Sequence, residues 1–147
     1  MMPEFGIDWN EIWFNLWHLG LAYLFAIPVA LDREASSRTA GLRTFPLVAI
    51  AACGYTLVGF SVLSSTDAEA RVLQGIITGI GFIGGGAILK SRGSVAGTAT
   101  AASIWTTGLI GIAVAADRFE IALLLSLMTF ITLRIGQQIK DNLPDSD

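Results

Sequence analysis

Residues 71–116, RVLQGIITGIGFIGGGAILKSRGSVAGTATAASIWTTGLIGIAVAA, decide the fold of this chain. An apolar run rich in glycine ends at Lys90, a short polar turn follows, and a second apolar run carries small residues and hydroxyls. Each run has about the 20 residues that a helix needs to cross the hydrocarbon core of a membrane. The short turn predicts that the two helices pack as an antiparallel hairpin.

The rest of the chain also has the composition of a membrane protein. Of its 147 residues, 53% are hydrophobic and 14% are charged, whereas about a quarter of the residues are charged in ordinary soluble domains. The charges lie in clusters, and the apolar segments between them are long enough to span a membrane. We therefore predict an all-α, polytopic integral membrane protein with five transmembrane helices.

These helices are expected to form a single transmembrane domain over residues 1–140, followed by a short polar tail at 141–147. The predicted spans lie at about residues 12–31, 44–64, 72–90, 98–116 and 119–135. With the N-terminus outside and the C-terminus inside, seven of the nine Lys and Arg residues fall on the inner side, and only Arg71 and Arg118 fall outside. The positive-inside rule therefore favours an N-out, C-in orientation.

The third span is unusual for its glycines, which fall on two faces of the predicted helix. One face carries Gly75, Gly79 and Gly86, and the other carries Gly81, Gly84 and Gly85. Glycines let helix backbones approach closely in a membrane, so we expect this helix to be central in the bundle. Alternatively, the run at 84–86 weakens the helix and gives a broken, functional backbone. A dinucleotide-binding loop is rejected because the pattern lies in no βαβ unit.

The fourth span carries a stripe of small polar residues. Thr100, Ser103, Thr107 and Gly111 share one side of a helix with 3.6 residues per turn. Such hydroxyls usually bond to carbonyls of their own helix or of a neighbour, and the alternative is that they line a hydrated path. Trp105 lies in the middle of the span, so its N–H is expected to need a buried partner.

The connection between the first two spans, residues 32–43, is the most strongly charged loop. Its candidate functional residues are Asp32, Arg33, Glu34, Arg38 and Arg43. They can pair with one another, with lipid phosphates or with a partner, and the simplest alternative is a solvated loop that sets the orientation. We predict that Asp32 and Glu34 face the cytoplasm and pair with the neighbouring arginines.

His18 is the only ionisable side chain near membrane depth in the first span. Ionisable residues at that depth are candidates for a function such as proton transfer or metal binding. A neutral, hydrogen-bonded packing residue is the alternative that its position near the membrane interface favours. One His and one Cys form no catalytic constellation, so we expect no enzyme, no catalytic residues, no cofactor and no metal site.

Taken together, these segments resemble the MgtC/SapB family of bacterial inner-membrane proteins over residues 32–116. The matching motifs are DRE at 32–34, AGLRT at 40–44, QG at 74–75, GIGFIGGGAIL at 79–89, Val95, Gly97, TAA at 100–102, Trp105 and GIA at 111–113. The chain departs from the family at Thr98 and Ala99, where Leu-Thr is usual.

The resemblance implies a multi-pass protein of the bacterial inner membrane and a link to magnesium, because related genes accompany magnesium pumps. For the long, MgtC-like members it implies adaptation to low Mg²⁺, survival inside host cells and restraint of the ATP synthase through its membrane part. This chain is more similar to the short SapB/YhiD-like form without a soluble C-terminal domain. It contains no nucleotide-binding or phosphorylation motif, so an ATPase is not expected.

Two functions remain open at this point, and we favour the first. The chain is either a regulatory protein that packs against another membrane complex, or a passive transporter or channel for Mg²⁺ or another small ion. The second would use the stripe of the fourth span that carries the hydroxyls of Thr100, Ser103 and Thr107, which we call the hydroxyl stripe, with Mg²⁺ as the transported or sensed ion. The expected partners are membrane lipids, copies of the chain in a homo-oligomer such as a dimer, and another membrane protein complex, with no nucleic acid.

Overall fold

The computed structural model describes residues 8–36, 40–91 and 94–142, which form five α-helices and one short β-hairpin. The helices are α1 (Trp9–Ser36), α2 (Thr44–Val62), α3 (Thr66–Gly86), α4 (Thr98–Ala115) and α5 (Phe119–Asn142). The hairpin strands are β1 (Leu89–Ser91) and β2 (Ser94–Ala96). The predicted all-α class is therefore confirmed, with this hairpin as the one departure among the described residues.

Four of the described helices, α1, α2, α4 and α5, are long and apolar enough to cross a membrane. The helix α3 is not one of the four, since it carries Asp67 and Glu69 in its first turn and glycines throughout its second half. The fifth span and the orientation of the chain therefore stay predictions. Helices α1 and α5 also extend beyond the predicted spans 12–31 and 119–135.

The central helix of the bundle is α4, which contacts each of the other four helices. In an apolar stretch of 18 residues, 56% of the residues of α4 are buried, whereas only 11% are buried in the corresponding stretch of α5. The prediction that the glycine-rich helix is central was wrong, because α3 buries only Ile80 and Gly84. Both helices are rich in small residues, and the bundle closes around α4 because its glycines meet backbone or bulky side chains of its neighbours.

Two glycines of α4 show how closely its neighbours approach. A Cβ atom on Gly111 would meet the carbonyl oxygen of Ala49 and would lie 3.0 Å from the backbone nitrogen of Cys53, both in α2. A Cβ on Gly108 would meet the side chain of Ile80 in α3. Glycine at 111 therefore lets the backbones of α2 and α4 touch, and this contact sets the distance between the two helices.

The helix α3 ends at Gly86, before the predicted end of its span at residue 90. Its last turn closes with bonds from the N–H of Ala87 to the carbonyl of Gly84 (3.0 Å) and from Ile88 to Gly85 (3.2 Å). The three consecutive glycines lower the helix propensity at this point, so they mark the end of α3 and not a break within it. The antiparallel pair β1–β2 then leads to Gly97, which has a φ of +87° and lies directly before α4.

We predict that Gly111→Ala lowers the free energy of unfolding by about 1–3 kcal/mol, because the new methyl group forces α2 and α4 apart. The matched control is Gly81→Ala in α3, where nothing lies within 4 Å of the new Cβ. That change removes a helix-interior glycine at no steric cost, so it leaves stability unchanged or raises it by up to about 1 kcal/mol. Unfolding in a titration with dodecyl sulfate measures both, and equal stability of the two variants would contradict the α2–α4 contact.

Candidate functional site

A cluster of three charged side chains joins the last turns of α1 to α5, and we call it the Asp32 cluster: Asp32, Arg33 and Arg134. One carboxylate oxygen of Asp32, Oδ2, accepts bonds from Nε (3.0 Å) and Nη2 (2.6 Å) of Arg33. The other, Oδ1, lies 3.2 Å from Nε of Arg134. The Asp32 and Arg33 side chains are buried, whereas 59% of the Arg134 side chain is exposed.

The position of Asp32 explains why it needs two cations. Its carboxylate lies near the C-terminal end of α1, where the helix dipole disfavours a negative charge and favours a cation such as Arg33. A buried carboxylate without partners would be very costly, and removing one member of a buried ion pair leaves the other charge uncompensated. The guanidinium of Arg134 also lies 5.5 Å from the centre of the Phe130 ring, which favours its orientation.

The predicted pairing of Asp32 with Arg33 is confirmed, but the interpretation of residues 32–43 as a solvated loop is wrong for this pair. Both residues belong to α1 and are buried, because the helix continues past the predicted span. Glu34 instead accepts a bond from the backbone N–H of Leu42 at 2.9 Å. Arg43 is exposed just before α2, and Arg38 lies outside the described residues.

Sequence reasoning missed Arg134 as a member of this cluster. Arg134 lies between Leu133 and Ile135 near the end of the apolar part of α5, so it is a single cation within an apolar segment. That isolation is the only signal that its partner lies on another helix, because Asp32 is about a hundred residues earlier in the chain.

A second polar contact, formed by His18 and Asp117, lies in the N-terminal half of α1. His18 is 2% exposed, and its ring lies between Phe14 and Phe119 with centroid distances of 4.1 and 5.8 Å. Nδ1 lies 2.8 Å from the carbonyl oxygen of Phe14, and because a carbonyl can only accept, Nδ1 carries the hydrogen. His18 is therefore hydrogen-bonded and packed, as one of the two interpretations predicted.

The other ring nitrogen of His18, Nε2, lies 2.9 Å from Oδ1 of Asp117. This bond requires a hydrogen on one of these two atoms, in addition to the one on Nδ1. Asp117 adopts a left-handed backbone conformation, with φ of 56°, in the tight turn between α4 and α5. The pair therefore joins α1 to this turn, about 21 Å along the helix axis from Asp32.

The hydroxyl stripe of α4 faces the inside of the bundle. Ser103 donates to the carbonyl of Ala99 at 2.6 Å, and Thr107 donates to that of Ser103 at 2.8 Å. Both side chains and that of Thr100 are buried. The hydroxyls of Ser103 and Thr107 thus bond to their own helix, the first of the two interpretations of this stripe, and neither lines an open path in this conformation.

Trp105 does not have the buried position that sequence reasoning expected. Its side chain is 52% exposed, and it lines a small apolar cavity of about 100 Å³ together with Ile77, Ile80, Leu109 and Ile112. The expectation failed because residue 105 lies on the outward side of α4, away from the buried hydroxyl stripe.

Two glycines of α3, Gly75 and Gly79, border an apolar groove of about 470 Å³ between α2 and α3, which we call the α2–α3 groove. A Cβ atom added at Gly75 or Gly79 would meet nothing within 4 Å, and the same is true of Gly81, Gly85 and Gly86. Only Gly84 of the predicted set packs closely, with its Cβ position 3.0 Å from the carbonyl oxygen of Ala101 in α4. The groove is lined by Val48, Ala51, Ala52, Tyr55, Val72, Gly75, Ile76, Gly79, Ile80 and Ile83.

A wider and more polar cavity of about 810 Å³ lies beside the first turns of α1, and we call it the N-terminal cavity. Its polar lining comes from Asp8, Asn10, Glu11, Asn15 and Ser61. In the part of the chain that the structure describes, no group of three His, Cys, Asp or Glu side chains is placed to hold a metal ion.

Comparisons with family models and with known proteins all point to one family. The model of the MgtC family matches residues 19–142. The chain is 33% identical to protein SrpB of Synechococcus elongatus over 139 residues, which is 86% of this chain and 75% of SrpB. It is 35% identical to protein MgtC of Salmonella typhimurium over 128 residues, which is 85% of this chain and 54% of MgtC.

A further relative is YhiD of Escherichia coli K12, a protein named as a candidate magnesium transporter. It is 31% identical over 126 residues, which is 81% of this chain and 59% of YhiD. The chain therefore spans little more than half the length of MgtC and YhiD. No solved structure matches the chain.

We predict that Asp32→Asn lowers the free energy of unfolding by about 3–5 kcal/mol, because the neutral amide leaves Arg33 buried without a counter-charge. The matched control is Asp141→Asn, the same change at an exposed position of α5, which is expected to alter stability by less than about 0.5 kcal/mol. Unfolding with dodecyl sulfate at neutral pH measures both variants. Equal stability of the two would show that the Asp32 cluster contributes nothing to the fold.

Proposed function

Because this chain belongs to the MgtC family, we propose that it is a non-enzymatic regulatory protein that acts by packing against other helices within the membrane. It is a multi-pass protein of the bacterial inner membrane. The link to magnesium comes from the family, and we propose that this chain serves adaptation to magnesium limitation or stress. The observation that carries the proposal is the open glycine face of α3 along the α2–α3 groove.

Helices in lipid associate through close packing, because acyl chains are as apolar as leucine and give no hydrophobic driving force. Gly75 and Gly79 are four residues apart, so they lie next to each other on one face of α3. Neither is in contact with the rest of the chain at its Cβ position. A helix placed against them would gain the backbone contacts that the protein itself leaves unused.

The partner that we propose first is a second copy of the chain, which supplies a membrane helix of matching length in the same membrane. Tyr55 and Ile83 flank the groove and would cover the sides of the inserted helix. Another membrane protein complex is the alternative occupant, and the test below separates the two because it measures association of the chain with itself.

We predict that Gly79→Leu raises the dissociation constant of the homo-oligomer at least about tenfold, since a bulky side chain fills the groove and removes about 1.4 kcal/mol or more of packing. A Cβ atom at this position would meet nothing within 4 Å, and thermal unfolding checks that the variant is folded. Energy transfer between labelled copies in liposomes of varied protein-to-lipid ratio measures the constant.

The matched control for this prediction is Gly81→Leu, which is equally open but does not line the groove. Its association is expected to equal that of the unsubstituted chain. If the unsubstituted chain does not associate, the second copy is excluded and another membrane complex becomes the occupant to search for. If both variants associate normally, the groove is not the interface.

A second candidate function is passive transport of Mg²⁺ or another small ion. It is favoured by the relationship to YhiD and by the carboxylates and amides of the N-terminal cavity, which are oxygen ligands of the kind that Mg²⁺ prefers. A path along the hydroxyl stripe would require α2 to move away from α4, because Thr107 is fully buried and Gly111 touches α2. We therefore rank transport second.

The test of transport is Mg²⁺ entry into proteoliposomes loaded with a magnesium-sensitive dye. Under the regulatory proposal, entry equals that of empty liposomes. Entry that the near-isosteric Thr107→Val abolishes would instead make this chain a transport protein with the hydroxyl stripe as its path, because the substitution removes the hydroxyl and keeps the volume. Thermal unfolding of the same variant checks that its fold is retained.

A further inference from the structure

We propose that Arg134 binds the phosphate group of an anionic phospholipid, with Asp32 and Phe130 as its positioning residues. The proposal concerns a site outside the α2–α3 groove and does not depend on the regulatory function. It rests on the free hydrogen-bond donors of Arg134, on the charge of the Asp32 cluster and on the apolar surface of α5.

The guanidinium of Arg134 has more donors than the protein uses. A guanidinium carries five N–H groups, and the only acceptor that Arg134 contacts among the described residues is Oδ1 of Asp32, through Nε. Both terminal nitrogens therefore keep their hydrogens available, on a side chain that is 59% exposed. Two parallel N–H groups of this kind match two oxygens of a phosphate.

The charge of the cluster also favours an anion. Arg33 makes two short bonds to one oxygen of Asp32, so this pair is internally compensated. Arg134 then adds a second positive charge, and the three side chains together carry one excess positive charge at neutral pH. An anion beside Arg134 would complete the neutralisation of a group that already lies next to apolar helix surface.

Two contacts hold the guanidinium in one orientation before any ligand arrives. Its Nε lies 3.2 Å from Oδ1 of the buried Asp32 carboxylate, and its central carbon, Cζ, lies 5.5 Å from the centre of the Phe130 ring. The contact with Asp32 uses Nε, so both terminal nitrogens are left for an anion. Such preorganisation lowers the conformational entropy that binding would otherwise cost.

The surroundings of Arg134 identify the anion as a lipid and not as free phosphate. Ile131 and Leu127, one and two turns before Arg134 on the same helix, are 51% and 45% exposed and offer a surface for an acyl chain. After Ile135 the helix becomes polar, with Gln137, Gln138 and Lys140. Arg134 thus lies where the apolar surface ends, at the depth of phospholipid phosphates.

The experiment measures lipid binding to the full chain in detergent by native mass spectrometry, with phosphatidylglycerol, phosphatidylcholine and inorganic phosphate as the three probes. We expect the unsubstituted chain to bind phosphatidylglycerol more tightly than phosphatidylcholine. Arg134→Gln should weaken phosphatidylglycerol binding about tenfold, because it removes charge-assisted hydrogen bonds. Arg134→Lys should retain part of the affinity, since it keeps the charge and loses the paired donors.

The matched control is Lys140→Gln, which removes an exposed cation from the polar end of the same helix and should leave the affinity unchanged. Equal effects of Arg134→Gln and Lys140→Gln would overturn the site, because only the overall charge would then matter. Inorganic phosphate that displaces the lipid at micromolar concentration would overturn the assignment to a lipid. Thermal unfolding shows that the variants are folded, and Arg134→Lys keeps the test valid if Arg134→Gln unfolds.

Discussion

The structure depends on the contact between the backbones of α2 and α4 at Gly111. Any side chain at this position would meet the carbonyl of Ala49, so glycine alone permits the observed distance. In a membrane, such contacts replace the hydrophobic effect as the source of helix association. Once α4 is fixed against α2, its other sides pack against α1, α3 and α5. The hydroxyls of Ser103 and Thr107 are then enclosed, and they donate hydrogen bonds to carbonyls of their own helix.

Polar contacts attach helices to the bundle where close packing is weak, above all for α5. Of the four helices that could span a membrane, α5 has the smallest buried share in its apolar stretch. The ion pair between Arg134 and Asp32 joins it to α1. Its first turn also follows directly after Asp117, which contacts His18 of α1. One contact lies in each half of α1, and together they join this helix to α5 and to the turn that precedes it. Each uses a carboxylate whose partner belongs to a different helix or turn.

The helical class and the approximate places of the helices followed from hydropathy, and the Asp32–Arg33 pair followed from adjacency in the chain. The centre of the bundle did not, since α3 and α4 both present small residues, and periodicity assigns a residue to a face without naming the neighbour of that face. The same limit hid the bond from His18 to Asp117, which are 99 residues apart. Trp105 was expected to be buried because it lies at the middle of the span. The prediction failed because it did not consider which side of the helix residue 105 occupies.

The open glycines of α3 have a consequence for which positions of the chain tolerate substitution. Gly75 and Gly79 have no contact at their Cβ positions, so alanine at either position leaves the packing of the chain intact. Gly111 has no such freedom, because any larger residue would meet the carbonyl oxygen of Ala49 and force α2 and α4 apart. The bundle therefore constrains the two helices unequally: α4 is fixed at Gly111 by the backbone of α2, whereas the two groove glycines of α3 can accept a methyl group without any contact inside the chain.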